Sequence, residues 1–458
     1  MGAPPNVPGV SELPPGPRAP ATVNTAKFIR RPLETLHAWR RRYGDVFTTK
    51  FLIFGTGVYV ADPAEIKKLL TGDQSDLHAG EANAPLSPVL GVNSVLVLDG
   101  PRHLRQRKLL LPPFQGSAVT SFRDVIREVA EAEIGGWTVG AEFSVRDRMQ
   151  ALTFEVICRA LFGVPERERI DRLRAALIPI MELAAFGFFM PGFLRHDFGR
   201  YSPWGQLQRR LRRADQLLYE EIERRRRDED LEERTDVLSL LLRASDEDCQ
   251  PMSDVELRDE LMTMLAAGHE TTATGLAFAF DLLLRNPAVL SRLRNELAAD
   301  DSDTYLNAVV SESLRVRPVI DAAERTLTKP RVIGGYELPA GIRVYPGIVL
   351  VQHREDLYPE PQRFRPERFL DDGTESYAWI PFGGGIRRCI GAALAQAEMA
   401  EVIRIVLSRV ELDPVRPEPE PVVLRGITLA PRYGTPVRVR ALSEPRARRP
   451  LVAQTEQV

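Results

Sequence analysis

Apolar positions recur mainly at helical spacing. Leu33, Leu36, Trp39 and Tyr43 lie three or four residues apart, and Gly44 closes that helix. Two β-branched and aromatic runs, 46–53 and 58–60, bracket Gly55-Thr56-Gly57 and predict a hairpin. Asp62-Pro63 opens a short helix to about Leu70, whereas 71–100 is loop-like with apolar patches such as Leu86, Val89 and Leu90. Helices are expected over 101–111, 117–137, 145–162, 167–183 and 206–227, the last so charged that it reads as a solvated outer face. The 167–183 helix runs into the aromatic cluster AAFGFFMPGF, 184–193. Such a cluster marks an interface, a membrane contact or a ligand entrance, with core packing of Phe186, Phe188, Phe189 and Phe193 as the alternative.

Ser253 and Glu256 form a capping box for the longest helix, which ends at Arg285 before Asn286-Pro287. At about 1.5 Å per residue it spans roughly 50 Å, and it is apolar on most faces, as a buried helix should be. A membrane span is the competing reading, but Gly268, His269, Glu270, Thr271 and Thr272 stand mid-helix, where a bilayer penalises them. Thr271 can bond back to the carbonyl four residues earlier and open the helix locally, which leaves either a structural kink or a site. A linker, NELAADDSDT, follows Arg294; then Glu312 and Arg315 stand three apart in VVSESLR, a common helical pairing. Short β patterns at 331–333, 343–346 and 422–429 predict small sheets at the side.

With 458 residues, 44% of them hydrophobic, the chain can bury a large core, and no compositional break divides it. A net charge of −2 gives no sign of nucleic acid or of an anionic membrane. Three cysteines, Cys158, Cys249 and Cys389, are too few for a disulfide framework or a four-cysteine zinc site and suit a reducing cytosol. The first twenty residues are proline-rich, have no apolar run and carry no Lys or Arg before Arg18, so neither a signal peptide nor a stable membrane anchor is expected. Asn6 stands where a myristoylation signal needs Ser or Thr.

The densest chemistry lies at 382–391, FGGGIRRCIG. Gly383, Gly384 and Gly385 suit a backbone that needs positive φ or a close approach. Cys389 follows Arg387 and Arg388 and precedes the helix-forming run AALAQAEMAEVIRIVL. A thiol at a helix N-terminus beside two cations is pushed toward thiolate, the metal-ligating form; a plain buried cysteine is the alternative. Another basic run, PRHLRQRKLLL, places His103 and Arg107 on one helix face, which alone is as readily a solvated surface.

Phe-x-x-Gly-x-Arg-x-Cys-x-Gly resembles the haem-ligand loop of the cytochrome P-450 family, the haem-thiolate monooxygenases. AGHETT at 267–272 resembles that family's oxygen-binding groove, VVSESLR its Glu-x-x-Arg motif and PERF at 366–369 its partner. The resemblance spans about Pro14 to Val439. It implies a mainly α (α+β) fold: a proline-rich arm over 1–20, a single haem domain over 21–440 with small peripheral β-sheets, and a disordered tail over 441–458. Haem b (iron protoporphyrin IX) would lie between the long central helix and the cysteine-loop helix. Cys389 would be the axial iron ligand. Phe382 and Gly268 would contact the cofactor, and His103, Arg107, Arg325 and Arg387 would pair with its propionates. Glu270 and Thr271 would be the acid–alcohol pair that relays protons, and Glu312, Arg315 and Arg368 a buried structural triad.

The resemblance further implies hydroxylation of a lipophilic small molecule, such as a fatty acid or terpene, by a cytoplasmic, soluble, monomeric enzyme that uses O2. Electrons would come from a ferredoxin or flavodoxin-type donor with its reductase, and Arg105, Lys108 and Arg388 are either its docking patch or a plain solvated surface. Met262, Leu265, Ala266, Ala267, Val319 and Ile320 are candidate pocket walls. The 184–193 cluster would be the substrate lid. Two other readings stand beside this one: a peroxide-driven peroxygenase, disfavoured by the Glu270–Thr271 pair, and a haem-binding sensor or carrier without turnover.

Overall fold

The computed structural model describes residues 13–52, 54–163, 166–188, 202–299, 302–370 and 377–443. Its axis is the helix Asp254–Leu284, 31 residues long and buried over most of its length. The capping box is present: Ser253 Oγ accepts from the Glu256 amide at 3.3 Å, and the Ser253 amide donates to Glu256 Oε2 at 2.8 Å. Around this axis pack Val145–Phe162, most closely of all, then Pro203–Arg226, Thr304–Val316 and Ala392–Arg409. Among the described residues no single helix is long and apolar enough to cross a membrane.

A five-stranded sheet lies beside the helical body in the order Val46–Phe51, Gly55–Val60, Arg343–Pro346, Arg325–Leu327, Leu77–His78. The predicted hairpin is there, with Val46 opposite Val60, but its second strand begins at Gly55 rather than Val58. Gly57 belongs inside that strand because a Cβ there would fall 2.3 Å from the Tyr345 ring. A smaller sheet joins Glu142–Ser144, Pro436–Leu442 and Val410–Pro414. The run at 422–429 is itself a hairpin, Val422–Arg425 against Thr428–Pro431, turning at Gly426 with φ +62°.

Several expectations need correcting. The helix Pro203–Arg226 is not a solvated face throughout: Leu207, Leu211, Ala214, Leu218 and Ile222 form one buried stripe. Dense charge on the outer face masked that period. NELAADDSDT is mostly not a linker, since the helix Pro287–Ala299 includes its first five residues. The Glu296 carboxylate then caps the next helix by accepting from the Tyr305 amide at 3.0 Å and the Leu306 amide at 3.0 Å. The loop-like 71–100 stretch contains the short helices Ala79–Asn83 and Ser87–Leu90, and the helix Val237–Arg243, capped by Asp236, was not anticipated. In the 184–193 cluster the helix Arg167–Phe188 covers the backbone to 188; its side chains, and residues 189–193, lie outside the described residues. At the N-terminal arm, Thr48 donates to the Pro14 carbonyl at 2.6 Å and fastens the chain to the first strand. The last strand reaches Leu442, two residues beyond the expected boundary, and 444–458 lie outside the described residues.

One buried polar contact ties the N-terminal segment to the helical body. His353 Nε2 donates to the Val316 carbonyl at 3.1 Å, so His353 Nδ1 is the acceptor for His37 Nε2 at 2.9 Å. Burial first, then Arg41 and Arg40, pushes His37 down to about 4; burial, His37 and nearby arginines hold His353 well below its usual value. Both depressed values favour the neutral pair, so its stability is full above about pH 6.5 and is lost as pH falls toward 4. Chemical denaturation should show unfolding free energy falling by about 4–5 kcal/mol from this pair between pH 7 and 4.5, and His37→Gln should roughly halve that slope. A slope unchanged in the variant would remove the pair from the account.

Candidate functional site

The glycine-rich loop is held down from beneath. Gly383 and Gly385 have φ of +68° and +61°, and a Cβ on Gly385 would lie 1.9 Å from the Leu70 carbonyl oxygen at the end of the helix Pro63–Thr71. Only glycine combines that φ with that approach. The turn is closed by the Cys389 amide donating to the Phe382 carbonyl at 3.0 Å. Phe382 meets Trp379 edge-on at 6.1 Å, and Trp379 Nε1 donates to the Ser311 carbonyl at 3.1 Å.

Cys389 shows exposed surface, yet desolvation dominates its surroundings. The two facts agree if the thiol faces an internal hollow. Burial pushes the thiol up, against the opposing pull of the Gly391 amide, Arg388 and Arg107. The expected drift toward thiolate is therefore reversed in the protein by itself; a metal would have to displace the proton. The long helix has a matching open face. Ala267 is exposed and Gly268, Glu270 and Thr271 half-buried, although Leu265 and His269 beside them are buried. Thr271 Oγ1 donates to the Ala267 carbonyl at 2.6 Å and Thr272 Oγ1 to that of Gly268 at 3.1 Å, the back-bonding that spacing suggested.

At the rim the structure gathers the basic residues. His103 and Arg325 are buried, and Arg387 nearly so. Arg107 donates to the Arg388 carbonyl at 2.7 Å. Arg387 donates to Asp99 Oδ1 at 2.5 Å and to the Val95 carbonyl at 3.1 Å. Burial, then Arg387 and Arg107, pushes His103 down to about 3. Burial and neighbouring arginines likewise push Arg325 and Arg387 down to about 10. Asp99 is the carboxylate that faces them, and Nε of both Arg325 and Arg387 makes no hydrogen bond. A desolvated group of cations with spare donors is matched by an anionic ligand with several oxygens.

Other candidates fall differently. Glu270 is not on Thr271: its carboxylate takes Arg146 and Gln150 from the helix Val145–Phe162. A Cβ on Gly268 would meet Ile157 at 3.1 Å, so this glycine admits that same helix rather than opening toward the hollow. Met262 and Leu265 have no exposed surface and line no hollow, whereas Ala266, Ala267 and Ile320 retain some, and Val319 a little. Arg105 is spent internally on Asp246 at 2.5 Å and Glu256 at 2.7 Å, and Lys108 reaches Glu247 at 2.6 Å; Arg388 stays exposed. Sequence reasoning missed Asp99 and Arg146. Arg146 gave no signal of its own, since Arg148 stands two residues on in the same helix and only the structure buries the first of the two.

The Glu312–Arg315 pair is wholly buried at 2.6 Å. Arg315 also donates to the Gln352 and Pro361 carbonyls at 2.8 and 2.9 Å, the Arg365 amide donates to Glu312 at 2.9 Å, and Arg368 lies 3.4 Å from Glu312. These bonds pin the irregular chain ahead of the cysteine loop to the helix Thr304–Val316.

The cytochrome P-450 family model matches residues 14–434. The chain belongs to the cytochrome P-450 family. It is 42% identical over 450 residues to the provisionally named cytochrome P-450 135B1 of Mycobacterium tuberculosis (strain CDC 1551 / Oshkosh), covering 96% of this chain and 94% of that one. A second protein of that strain, provisionally named cytochrome P-450 137, is 38% identical over 400 residues, 87% and 84% of the two chains. Among solved structures, the haem domain of cytochrome P-450DA superposes with a TM-score of 0.82 at 25% identity, covering 94% and 97%. Membership makes this a haem b protein and a haem-thiolate monooxygenase that uses O2 and electrons from redox partners. The cationic rim, the inward-facing thiol and the open helix face all fit that cofactor.

Two outcomes follow. Gly385→Ala should cost at least about 2 kcal/mol and lower haem content, because backbone strain adds to a clash with fixed backbone; thermal unfolding and the haem-to-protein absorbance ratio check this. Glu312→Gln should cost about 3 kcal/mol or more by leaving Arg315 buried and unpaired, and a melting temperature within about 1 °C of wild type, roughly 1 kcal/mol in a chain of this size, would contradict it.

Proposed function

We propose that this cytochrome P-450 hydroxylates a lipophilic small molecule, of fatty-acid or terpene type, with electrons from a separate ferredoxin or flavodoxin-type donor and its reductase. The observation that carries the reading is the thiol of Cys389, desolvated yet keeping accessible surface, just ahead of the helix Ala392–Arg409 that packs on the long helix bearing Ala267 and Thr271. Ala266, Ala267, Val319 and Ile320 are apolar and keep some accessible surface, and in this reading they wall the substrate side, which favours a substrate with little charge. The protein acts as a soluble cytoplasmic monomer.

In this reading Cys389 would hold the haem iron through its thiolate. Arg325, Arg387, His103 and Arg107 would hold the two propionates, whose charge would offset the mutual repulsion of the cations. Phe382 packs beside the loop and excludes water from the thiolate. When bound, haem b supplies the reductive activation of O2: two electrons and two protons are consumed, one oxygen atom enters a C–H bond and the other leaves as water. Thr271 holds a proton at Oγ1 next to the Ala267 carbonyl, on the open face of the long helix. Glu270 replenishes it after swinging away from Arg146 and Gln150, so those two residues position the acid and set how often it is free. Glu312, Arg315 and Arg368 do no chemistry and keep the loop in register.

The first test is the absorption spectrum of the dithionite-reduced protein under carbon monoxide, for wild type and Cys389→Ala. A strongly red-shifted Soret band that is lost in the variant is expected; absence of haem binding after supplementation would overturn the reading. With O2, reduced ferredoxin and a lipophilic panel, wild type should form hydroxylated product. Product only with peroxide would replace this reading with a peroxygenase, and binding without product with a carrier. In Thr271→Ala, product formed per electron pair should fall about tenfold or more, while substrate-induced spectral binding stays near wild type.

A further inference from the structure

Residues 90–99 form a strap between the long helix and the cationic rim. Gly91 takes φ +95°, and a Cβ there would fall 2.0 Å from the Asp259 carboxylate, so the strap lies directly on the helix. Arg258 donates to the Leu90 carbonyl at 3.3 Å, and Asp259 Oδ2 accepts from the Asn93 amide and side chain, both at 3.0 Å. Thr263 Oγ1 meets Ser94 Oγ at 2.7 Å, and Glu260 Oε1 accepts from the Val95 amide at 2.8 Å. The opposite edge belongs to Arg387, which donates to the Val95 carbonyl at 3.1 Å, to the Leu98 carbonyl and to Asp99 Oδ1. Asp99 is itself fixed by the Gly80 and Glu81 amides, each at 2.8 Å.

Among the described residues only Val95 is bonded both to the long helix and to Arg387. Its partner on the helix is an unusual one. Glu260 has no exposed surface, and its second oxygen, Oε2, makes no hydrogen bond. Burial, joined by Asp259 and Glu256, pushes its carboxyl well above the usual value against the pull of the Val95 amide. A buried carboxyl without a counter-charge is costly, and the buried helix positions on either side, Leu257 and Leu261, are apolar. Packing alone would be served by another leucine at 260. What the carboxyl adds is the bond to Val95.

We propose that Glu260 is a positioning residue for Arg387: by fixing the Val95 amide it holds the Val95 carbonyl, and with it the guanidinium, where the haem propionates bind. The inference rests on the reading that Arg387 faces those propionates. Without Glu260 the Val95 amide is buried and unpaired, so the strap relaxes toward a new partner and Arg387 follows its carbonyls. Glu260 touches neither cofactor nor substrate; its effect passes through one residue of the strap.

The test uses the haem-loaded enzyme and two readouts: the propionate bending bands in resonance Raman, and the rate of haem transfer to excess apomyoglobin. In Glu260→Gln, which keeps an acceptor for the Val95 amide, both should stay near wild type. In Glu260→Leu, or Glu260→Met where the leucine variant is not recovered folded, the bands should shift and haem loss should quicken about tenfold. Thr263→Val removes the neighbouring bond to Ser94 and should leave the bands in place, which separates positioning from a general loosening of the strap. Bands unmoved in the apolar Glu260 variant, while Arg387→Leu moves them, would overturn this inference alone. Bands unmoved in both would overturn the assignment of Arg387 as well. A shift in Glu260→Gln or Thr263→Val as large as in the apolar variant would also overturn the inference.

Discussion

Everything in this protein follows from holding one thiol inside the body, facing a hollow rather than a neighbour. A backbone that carries Cys389 there must leave the surface, turn within a few residues and re-enter a helix. That is why Gly383 and Gly385 take positive φ and why Gly385 rests directly on the Leu70 carbonyl. The turn cannot hold itself. Trp379 bonded to Ser311, and the Arg315 guanidinium spread over Glu312 and two carbonyls, fix the chain ahead of it to the helix Thr304–Val316. The pair is buried and does no chemistry; its worth is that the loop has one position.

The electrostatics of the site oppose the apoprotein. Burial keeps the Cys389 thiol protonated, and the rim crowds Arg107, Arg325, Arg387 and His103 around Asp99 with donors to spare. Haem b answers both demands, iron for the thiol and two carboxylates for the cations.

The oxygen-side helix shows how one sequence feature can serve two neighbours. Thr271 bonds back to Ala267 on the open face, while Glu270 turns to Arg146 and Gln150, and Gly268 lets Ile157 approach. Of these residues, Glu270 and Gly268 are engaged by the helix Val145–Phe162, and Thr271 is bonded within its own helix.

Much was legible in sequence, because local physics wrote it there. Capping at Ser253, the stop at Asn286-Pro287 and the helical period of 145–162 depend on residues close in the chain and appear as anticipated, and the hairpin of 46–60 forms with its turn ahead of Gly55. The loop and its cysteine were visible because positive φ and close approach leave glycine no substitute. Charge density hid the buried stripe of Pro203–Arg226, and NELAA looked like a linker until Glu296 was seen to cap the next helix. What tertiary structure alone decided is the state of each polar group: Arg105 committed to Asp246, Glu270 to Arg146, and the thiol of Cys389 raised where its neighbours in sequence argued for lowering. Periodicity and backbone constraint are properties of neighbours along the chain. Burial and charge partnership are properties of neighbours in space, and there desolvation outweighs what nearby arginines and a helix terminus can offer.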